Sequence, residues 1–261
     1  MTYRDYLKNC IPLRVVVIFL CTLRQQFGFA LCFGLRALWR FVWEYRYFKK
    51  IAHSAVPKHL VSARYLYPCL KDRTADTPVE PVYFVQDTWF AGRIAQRRPL
   101  SHVDVGSSAK TMALVAQFIP VTMVDIRPVP LIVSGFTFVR GSVLKLPFAD
   151  GSLGSISSLC VVEHIGLGRY GDELDPVGSE KAVAELCRVL APGGDLYLSV
   201  PVDTECRVHF NAHRAFTRDY FIGLCVGLEL LAEQHLYDFE IVPAYDAARG
   251  FGTGMYHFRK P

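Results

Sequence analysis

The 261-residue chain predicts an α/β fold with a mostly parallel sheet, and three observations carry that expectation. From Ser101 onward, short apolar runs alternate with stretches of helical period, the pattern of parallel strands covered by helices on both faces. Hydrophobic residues make up 51% and charged residues 20%, which excludes a disordered chain, a collagen-like fibre and a small disulfide scaffold. The length has room for one large α/β domain or two small ones with a substantial core.

Charge divides the chain before any motif does. Residues 1–50 hold nine Lys/Arg against two acids, while the other 211 residues hold twenty against twenty-two. The formal net charge of +5 therefore belongs to the N-terminus, and a nucleic-acid-binding body is not indicated. Ile11–Trp43 is rich in Val, Leu, Phe and Trp but is interrupted by Arg14, Arg24, Arg36 and Arg40. A spanning helix needs about 20 largely uncharged residues, and the longest charge-free stretches, Val15–Leu23 and Gln25–Leu35, fall short. Arg14, Arg24, Gln25, Arg36 and Arg40 share one broad sector of a helical wheel. That pattern suits an interfacial helix on an anionic membrane surface through residues 11–43, or a pair of ordinary helices packed on the following domain. A cleaved signal peptide is disfavoured, because no small-x-small site follows the apolar run.

The elements follow in order. Residues 1–50 form a basic, hydrophobic helical segment. Residues 51–100, with Pro57, Pro68, Pro78, Pro81 and Pro99 and the polar turn Lys71–Pro78, form a connecting or accessory region. In 101–261, strands are expected at His102–Val105, Val121–Asp125, Phe136–Arg140, Ile156–Val162 and Asp195–Val200. Helices are expected at Thr111–Phe118, at Glu180–Leu190 (stopped by Pro192-Gly193-Gly194) and at Arg218–Val226 behind a Thr217 N-cap. Leu228–Tyr237 and Met255–Arg259 close the sheet as an antiparallel pair, which makes seven strands. The eight cysteines form no CxxC and no Cys/His cluster of metal spacing. They point to a reducing, cytoplasmic compartment and to no metal site.

The chemistry concentrates at strand ends. His102-Val103-Asp104-Val105-Gly106-Ser107-Ser108 is a strand ending in Gly and passing into a helix, a place where backbone N–H groups meet an anionic ligand group. Twenty-one residues on, Asp125 ends the second strand, where an acid accepts both hydroxyls of a ribose; a strand-end cap beside Arg127 is the other reading. Gly141-Ser142-Val143-Leu144-Lys145-Leu146-Pro147-Phe148-Ala149-Asp150 follows the third strand. The fourth ends in Val161-Val162-Glu163-His164, and Leu190-Ala191-Pro192-Gly193-Gly194 precedes the fifth.

Taken together, DVGSS, VDIRP, LPFADGS, VVEHI and LAPGGDLYLSVP resemble the class I S-adenosylmethionine-dependent methyltransferases over residues 101–201, with weaker echoes to the C-terminus. Within that superfamily the chain is most similar to domain-of-unknown-function family 268. HVDVGSS, VVEHIGLGRYGDELDPVGSEKA, FNAHRAF and GFGTGMYHF carry this resemblance. The resemblance implies a Rossmann-like methyltransferase fold and S-adenosyl-L-methionine as cofactor. Bacterial members of the family are often linked with surface-glycan biosynthesis. It further implies that Asp104, Gly106, Ser107 and Ser108 shape the pocket for the methionine end. Asp125 holds the ribose, Ile126 packs on the adenine, and Ser142 with Val143 completes the cofactor set. Glu163 and His164 face the sulfonium and the acceptor. Three positions depart from the pattern: Ser108 and Lys110 replace the second and third glycines, and Ser142 replaces the acid that receives the adenine amino group. The loop must then avoid positive φ at Ser108, and Lys110 must point outward.

An oxygen or nitrogen acceptor has to lose a proton, and His164 and His213 are the candidate catalytic bases, since imidazole titrates nearest neutrality. Each has a bland alternative: His164 as a histidine packed at the sheet edge, His213 as part of a capped turn leading into the Thr217 helix. The polar loop Gly166–Gly178 is placed to cover an acceptor or is an ordinary solvated loop. The expected activity is methyl transfer to a glycan, a lipid-linked sugar or a small hydroxyl metabolite; the alternative is a non-catalytic scaffold of the same fold. A nicotinamide-dependent oxidoreductase is disfavoured by the missing GxGxxG and by the LPFAD and APGG segments.

Overall fold

The structure, a computed structural model, describes residues 35–52 and 59–261. The chain divides into two compact units, Met1–Pro78 and Val79–Pro261. In the first, residues 35–52 form a helix (α1), and a 3-10 turn, Ala63–Tyr65, is capped by the Ser62 hydroxyl accepting from the Arg64 N–H at 3.3 Å. Glu44 receives Arg73 at 3.2 Å and Arg40 at 3.9 Å. None of the described residues up to Pro78 is buried. Among the described residues no helix is long and apolar enough to cross a membrane. Of the stretch Ile11–Trp43, residues 11–34 lie outside the described part, and Arg14, Arg24 and Gln25 with them.

The second unit is built on strands β1 His102–Val105, β2 Val121–Asp125, β3 Phe136–Arg140, β4 Leu153–Leu159, β5 Leu190–Val202, β6 Arg207–His209, β7 His213–Ala215, β8 Glu229–Tyr237, β9 Glu240–Val242 and β10 Gly252–Arg259. Its helices are α2 Pro81–Arg97, α3 Ala109–Val115, α4 Gly178–Val189 and α5 Arg218–Leu224. One sheet runs β3-β2-β1-β4-β5-β10-β8-β9, and β6 and β7 form a separate hairpin. The first five strands are parallel; β10 is antiparallel to β5, and β8 to β10. The mostly parallel sheet with an antiparallel C-terminal closure is thus as expected, with β9 added as an eighth, three-residue edge strand.

Alternation along the strands builds two faces. Val103, Val105, Ile156, Leu196, Leu198 and Val200 point to one side, where α4 contributes Ala182, Val183, Leu186 and Val189, and α5 contributes Phe221. Their intervening neighbours point to the other side, where Phe90 and Ile94 of α2 and Met112 and Val115 of α3 pack on Met123, Leu159 and Tyr197. This second face also buries polar groups. His102 bridges Ser155 (Nδ1, 2.8 Å) and Ser157 (Nε2, 2.9 Å), and the Ser157 hydroxyl donates to Asp104 at 2.6 Å.

Several boundaries differ from the sequence reading; β5, for one, begins at Leu190 rather than Asp195, so Pro192-Gly193-Gly194 lie inside the strand. Pro81–Arg97, read as part of a connecting region, is a helix of the α/β unit, begun by Glu80 accepting from the Tyr83 N–H at 2.7 Å and by Pro81 in its first turn. The fourth strand, expected to run to Val162, ends at Leu159, because Cys160 takes a left-handed conformation (φ +51). Glu163 and His164 therefore sit on a 3-10 turn, Val162–His164, rather than on the strand itself. The Thr217 cap is as expected, accepting from the Tyr220 N–H at 3.4 Å.

Candidate functional site

The parallel strand order reverses between β1 and β4, and α/β sheets place ligands beyond the carboxyl ends of the strands at such a point. A cleft open to solvent lies there. Of the residues the sequence suggested, it brings together Gly106 after β1, Asp125 and Ile126 at the end of β2, Ser142 and Val143 after β3, and His164 after β4. Arg127, Cys160, Tyr170 and Asp172 complete its wall. Gly106 is required: its φ is +75, and a Cβ there would meet a methyl of Val161 at 3.0 Å.

Asp104, Ser107, Ser108, Glu163 and His213 do not line the cleft. Asp104 is fully buried and accepts from the Ser107 N–H (3.0 Å), the Ser107 hydroxyl (2.6 Å) and the Ser157 hydroxyl (2.6 Å). Ser107 in turn accepts from the Leu159 N–H at 2.8 Å. These two residues hold the loop in shape rather than meeting a ligand across the cleft. Burial pushes the Asp104 carboxyl up to about 6 against the pull of its serine partners. Ser108 avoids positive φ, as its position demanded: at φ −68 it is the N-cap of α3 and accepts from the Thr111 N–H. Lys110 is exposed and, with Ser108, borders a second, apolar groove between α2 and α3, away from the cleft.

Asp125 meets both of its readings. It lines the cleft, and it also accepts from the Arg127 N–H at 2.8 Å and from the guanidinium at 3.4 Å through two nitrogens. Those guanidinium contacts are long and Arg127 is 57% exposed, so the carboxylate, with about four lone-pair sites, keeps acceptor capacity for a diol. Arg127 also lies over the Tyr170 ring at 4.5 Å, with Arg169 at 5.2 Å from the same ring. Tyr170 and Asp172 bring the loop Gly166–Gly178 to the cleft. Buried Arg214 pins that loop, donating to the Ser179 hydroxyl (3.1 Å), the Asp175 carbonyl (2.9 Å) and the Ile165 carbonyl. The sequence reading passed over Arg214, although a cation directly before the apolar pair Ala215-Phe216 is a signal of a buried, paired charge.

His164 carries the most defined protonation. Its Nδ1 is 2.6 Å from the Ala212 carbonyl, which takes a second hydrogen bond from Arg169 at 3.0 Å. A carbonyl only accepts, so Nδ1 holds the proton and Nε2 the lone pair. Burial, with the charges of Arg169 and His213 behind it, pulls the imidazole down to about 4, although the bond to Ala212 acts the other way. His164 is therefore neutral at pH 7. Glu163 is buried beside it, with Oε1 3.6 Å from Nε2 and, among the described residues, Oε2 without a partner. Burial pushes the Glu163 carboxyl up to about 8. His213, the other candidate base, starts β7 and packs its ring on His209 (4.9 Å) and Phe251 (5.7 Å), outside the cleft.

Comparison with known proteins agrees with this architecture. Residues 148–239 match the model of a family described as Caenorhabditis protein of unknown function, DUF268. No curated protein matches the chain. Among solved structures, a candidate sarcosine dimethylglycine methyltransferase from Galdieria sulphuraria superimposes with a TM-score of 0.52 at 17% identity, covering 68% of this chain and 86% of that one. The fold is methyltransferase-like. The same fold serves the [4+2]-cyclase SpnF, with a TM-score of 0.51, 16% identity and coverage of 67% and 81%. N-methyltransferase NodS from Bradyrhizobium japonicum, solved with S-adenosyl-L-homocysteine, is also similar: TM-score 0.49, 15% identity, coverage of 74% and 92%.

The cleft of this methyltransferase-like unit fits a nucleoside-bearing cofactor by its donor set. Asp125 is an acceptor for a diol, Ile126 is an apolar surface 36% exposed, Ser142 is a hydroxyl, and Gly106 leaves the floor without a side chain.

Proposed function

We propose that the protein is an S-adenosylmethionine-dependent methyltransferase acting on a hydroxyl group of a glycan, a lipid-linked sugar or a small metabolite. The observation that carries this reading is the convergence of Gly106, Asp125, Ile126, Ser142 and His164 on one cleft at the switch point of a methyltransferase-like sheet. When bound, S-adenosylmethionine supplies a methyl group activated by its sulfonium. Asp125 holds the ribose, Ile126 and Val143 flank the base, and Ser142 accepts from its amino group. Asp104 and Ser107 keep the loop open by bonding each other rather than the ligand.

His164 receives the acceptor's proton. A histidine held near 4 is too weak to deprotonate a free alcohol, so the proton moves as the acceptor oxygen forms its bond to the methyl carbon and becomes acidic. Nδ1–H stays on the Ala212 carbonyl throughout, which keeps Nε2 as the receiving atom. Tyr170 and the pinned loop exclude water from the cleft mouth.

One contact favours the competing scaffold reading: Arg127 already engages the ribose-binding Asp125. Calorimetric titration with S-adenosylmethionine and S-adenosylhomocysteine separates the two. Saturable binding that Asp125→Ala abolishes supports the enzyme; a wild-type protein that takes up neither ligand at millimolar concentration overturns it.

A further inference from the structure

Helix α1 presents a surface that the methyltransferase reading does not use. Trp39, Trp43 and Tyr47 follow one another at four-residue spacing, which aligns them on one ridge, and they are 73%, 56% and 55% exposed. Leu38, Val42 and Phe48 are exposed beside them. Arg36, Arg46, Lys49 and Lys50 are exposed between these apolar side chains, and among the described residues none of the four pairs with a carboxylate. The helix's one acid, Glu44, is occupied by Arg40 and Arg73.

We infer that α1 is a docking surface for an anionic phospholipid bilayer, its tryptophans and leucines entering the interfacial layer and its arginines and lysines meeting the headgroup phosphates. The chemistry is complementary in both parts. Trp and Tyr have an apolar ring and a polar tip and partition to the headgroup level, and Lys and Arg extend an apolar stem with a cation at its end. A helix carrying both, its one acid already paired with arginines, lies in the plane of an anionic surface. Charge agrees: the basic excess of the whole chain lies in residues 1–50. A nucleic acid would use the cations and stack on the rings, but it has no use for exposed Leu38 and Val42.

Co-sedimentation of the full-length protein with phosphatidylcholine vesicles, with and without phosphatidylserine, tests the inference. Binding to the serine-containing vesicles is expected, falling at least tenfold when salt screens the headgroups. It should fall at least tenfold again in Trp39→Ala/Trp43→Ala and in Arg46→Gln/Lys49→Gln/Lys50→Gln. None of these residues is buried, so both variants should keep the wild-type unfolding transition, which separates lost docking from lost folding. Trp89 lies outside α1, so in a Trp89→Phe background a blue shift on vesicle addition reports Trp39 and Trp43 alone. Equal binding to uncharged vesicles, binding that survives both variants, or binding to an RNA oligonucleotide that displaces the vesicles overturns the inference. The outcome is independent of cofactor binding.

Discussion

Helices α1 and α4 contradict the idea that hydrophobicity decides burial. Twelve of the eighteen residues in 35–52 are apolar, against six of twelve in Gly178–Val189. Yet α4 buries Ala182, Val183, Leu186 and Val189, and α1 buries nothing. In α4 the apolar residues recur at three- and four-residue intervals on one face, with Glu180, Lys181, Glu185 and Arg188 between them, so one stripe meets the sheet. In α1 the ridge of Trp39, Trp43 and Tyr47 is flanked by Arg36, Arg40, Arg46 and Lys50, so no charge-free stripe is left to meet a core. Period and an available partner produce a core; apolar content alone produces a surface that needs a different medium.

The comparison breaks most readily through large-to-small substitutions. Leu186→Ala, at a fully buried position, should cost about 2–5 kcal/mol in denaturant unfolding. If it costs no more than Trp39→Ala, the contrast between the helices fails. Asp104→Ala breaks the same core through its polar groups, with an effect of comparable size. It leaves the Ser107 N–H and the Ser107 and Ser157 hydroxyls without their acceptor, at about 1–3 kcal/mol for each group left unpaired. Cofactor titration of the same variant should show weakened binding, although Asp104 itself does not reach the cleft.

A subtler test uses pH. Glu163 holds its proton in the native state up to about 8 and loses it near 4.5 when unfolded, so between those values the native state binds one proton more. Wild-type stability then falls as pH rises through that window, by about 1.4 kcal/mol per pH unit from this group, and levels off above it. Glu163→Gln should match wild type near pH 4.5 and gain on it steadily up to pH 8. Parallel profiles would show that the carboxyl is not held neutral. The smallest expected effect is on the other helix: Trp39→Ala should leave the unfolding free energy within about 0.5 kcal/mol of wild type.

The sequence was most informative where local chemistry suffices. Strands β1, β2 and β3 begin and end as expected, each a short β-branched run, with Gly106 closing β1, Gly135 and Gly141 bracketing β3, and Pro120 preceding β2. Strand β4 lies three residues earlier than expected, ending at Leu159 because Cys160 turns left-handed, and nothing in the Cys-Val-Val stretch announces that. Helix α2 was legible and passed over: Glu80-Pro81 is a start signal, and Val82, Val85, Trp89, Phe90 and Ile94 recur at helical spacing. The prolines around it made the region look like a connection.

At the site, position along the strand was readable and side-chain direction was not. Asp125 and Ile126 reach the cleft from the end of β2, as Ser142 does after β3. Asp104 shares its parity with His102, and so turns toward Ser157 and the buried polar face instead. In sequence, His164 at the end of a central strand and His213 in a polar cluster before the Thr217 helix are both candidate bases. Only the turn after β4 puts one in the cleft, and only the carbonyl of Ala212, forty-eight residues away, decides which of its nitrogens is free.

By itself, the sequence determined the fold class, the order of the parallel strands along the chain and the basic, aromatic character of the N-terminus. These rest on period, composition and residues adjacent in the chain. The tertiary structure decided which polar residues support the cleft and which line it, that Glu163 is buried, and that the apolar surface of α1 stays exposed. Each of these depends on desolvation and on partners far away in sequence, and neither is a property of a residue and its neighbours.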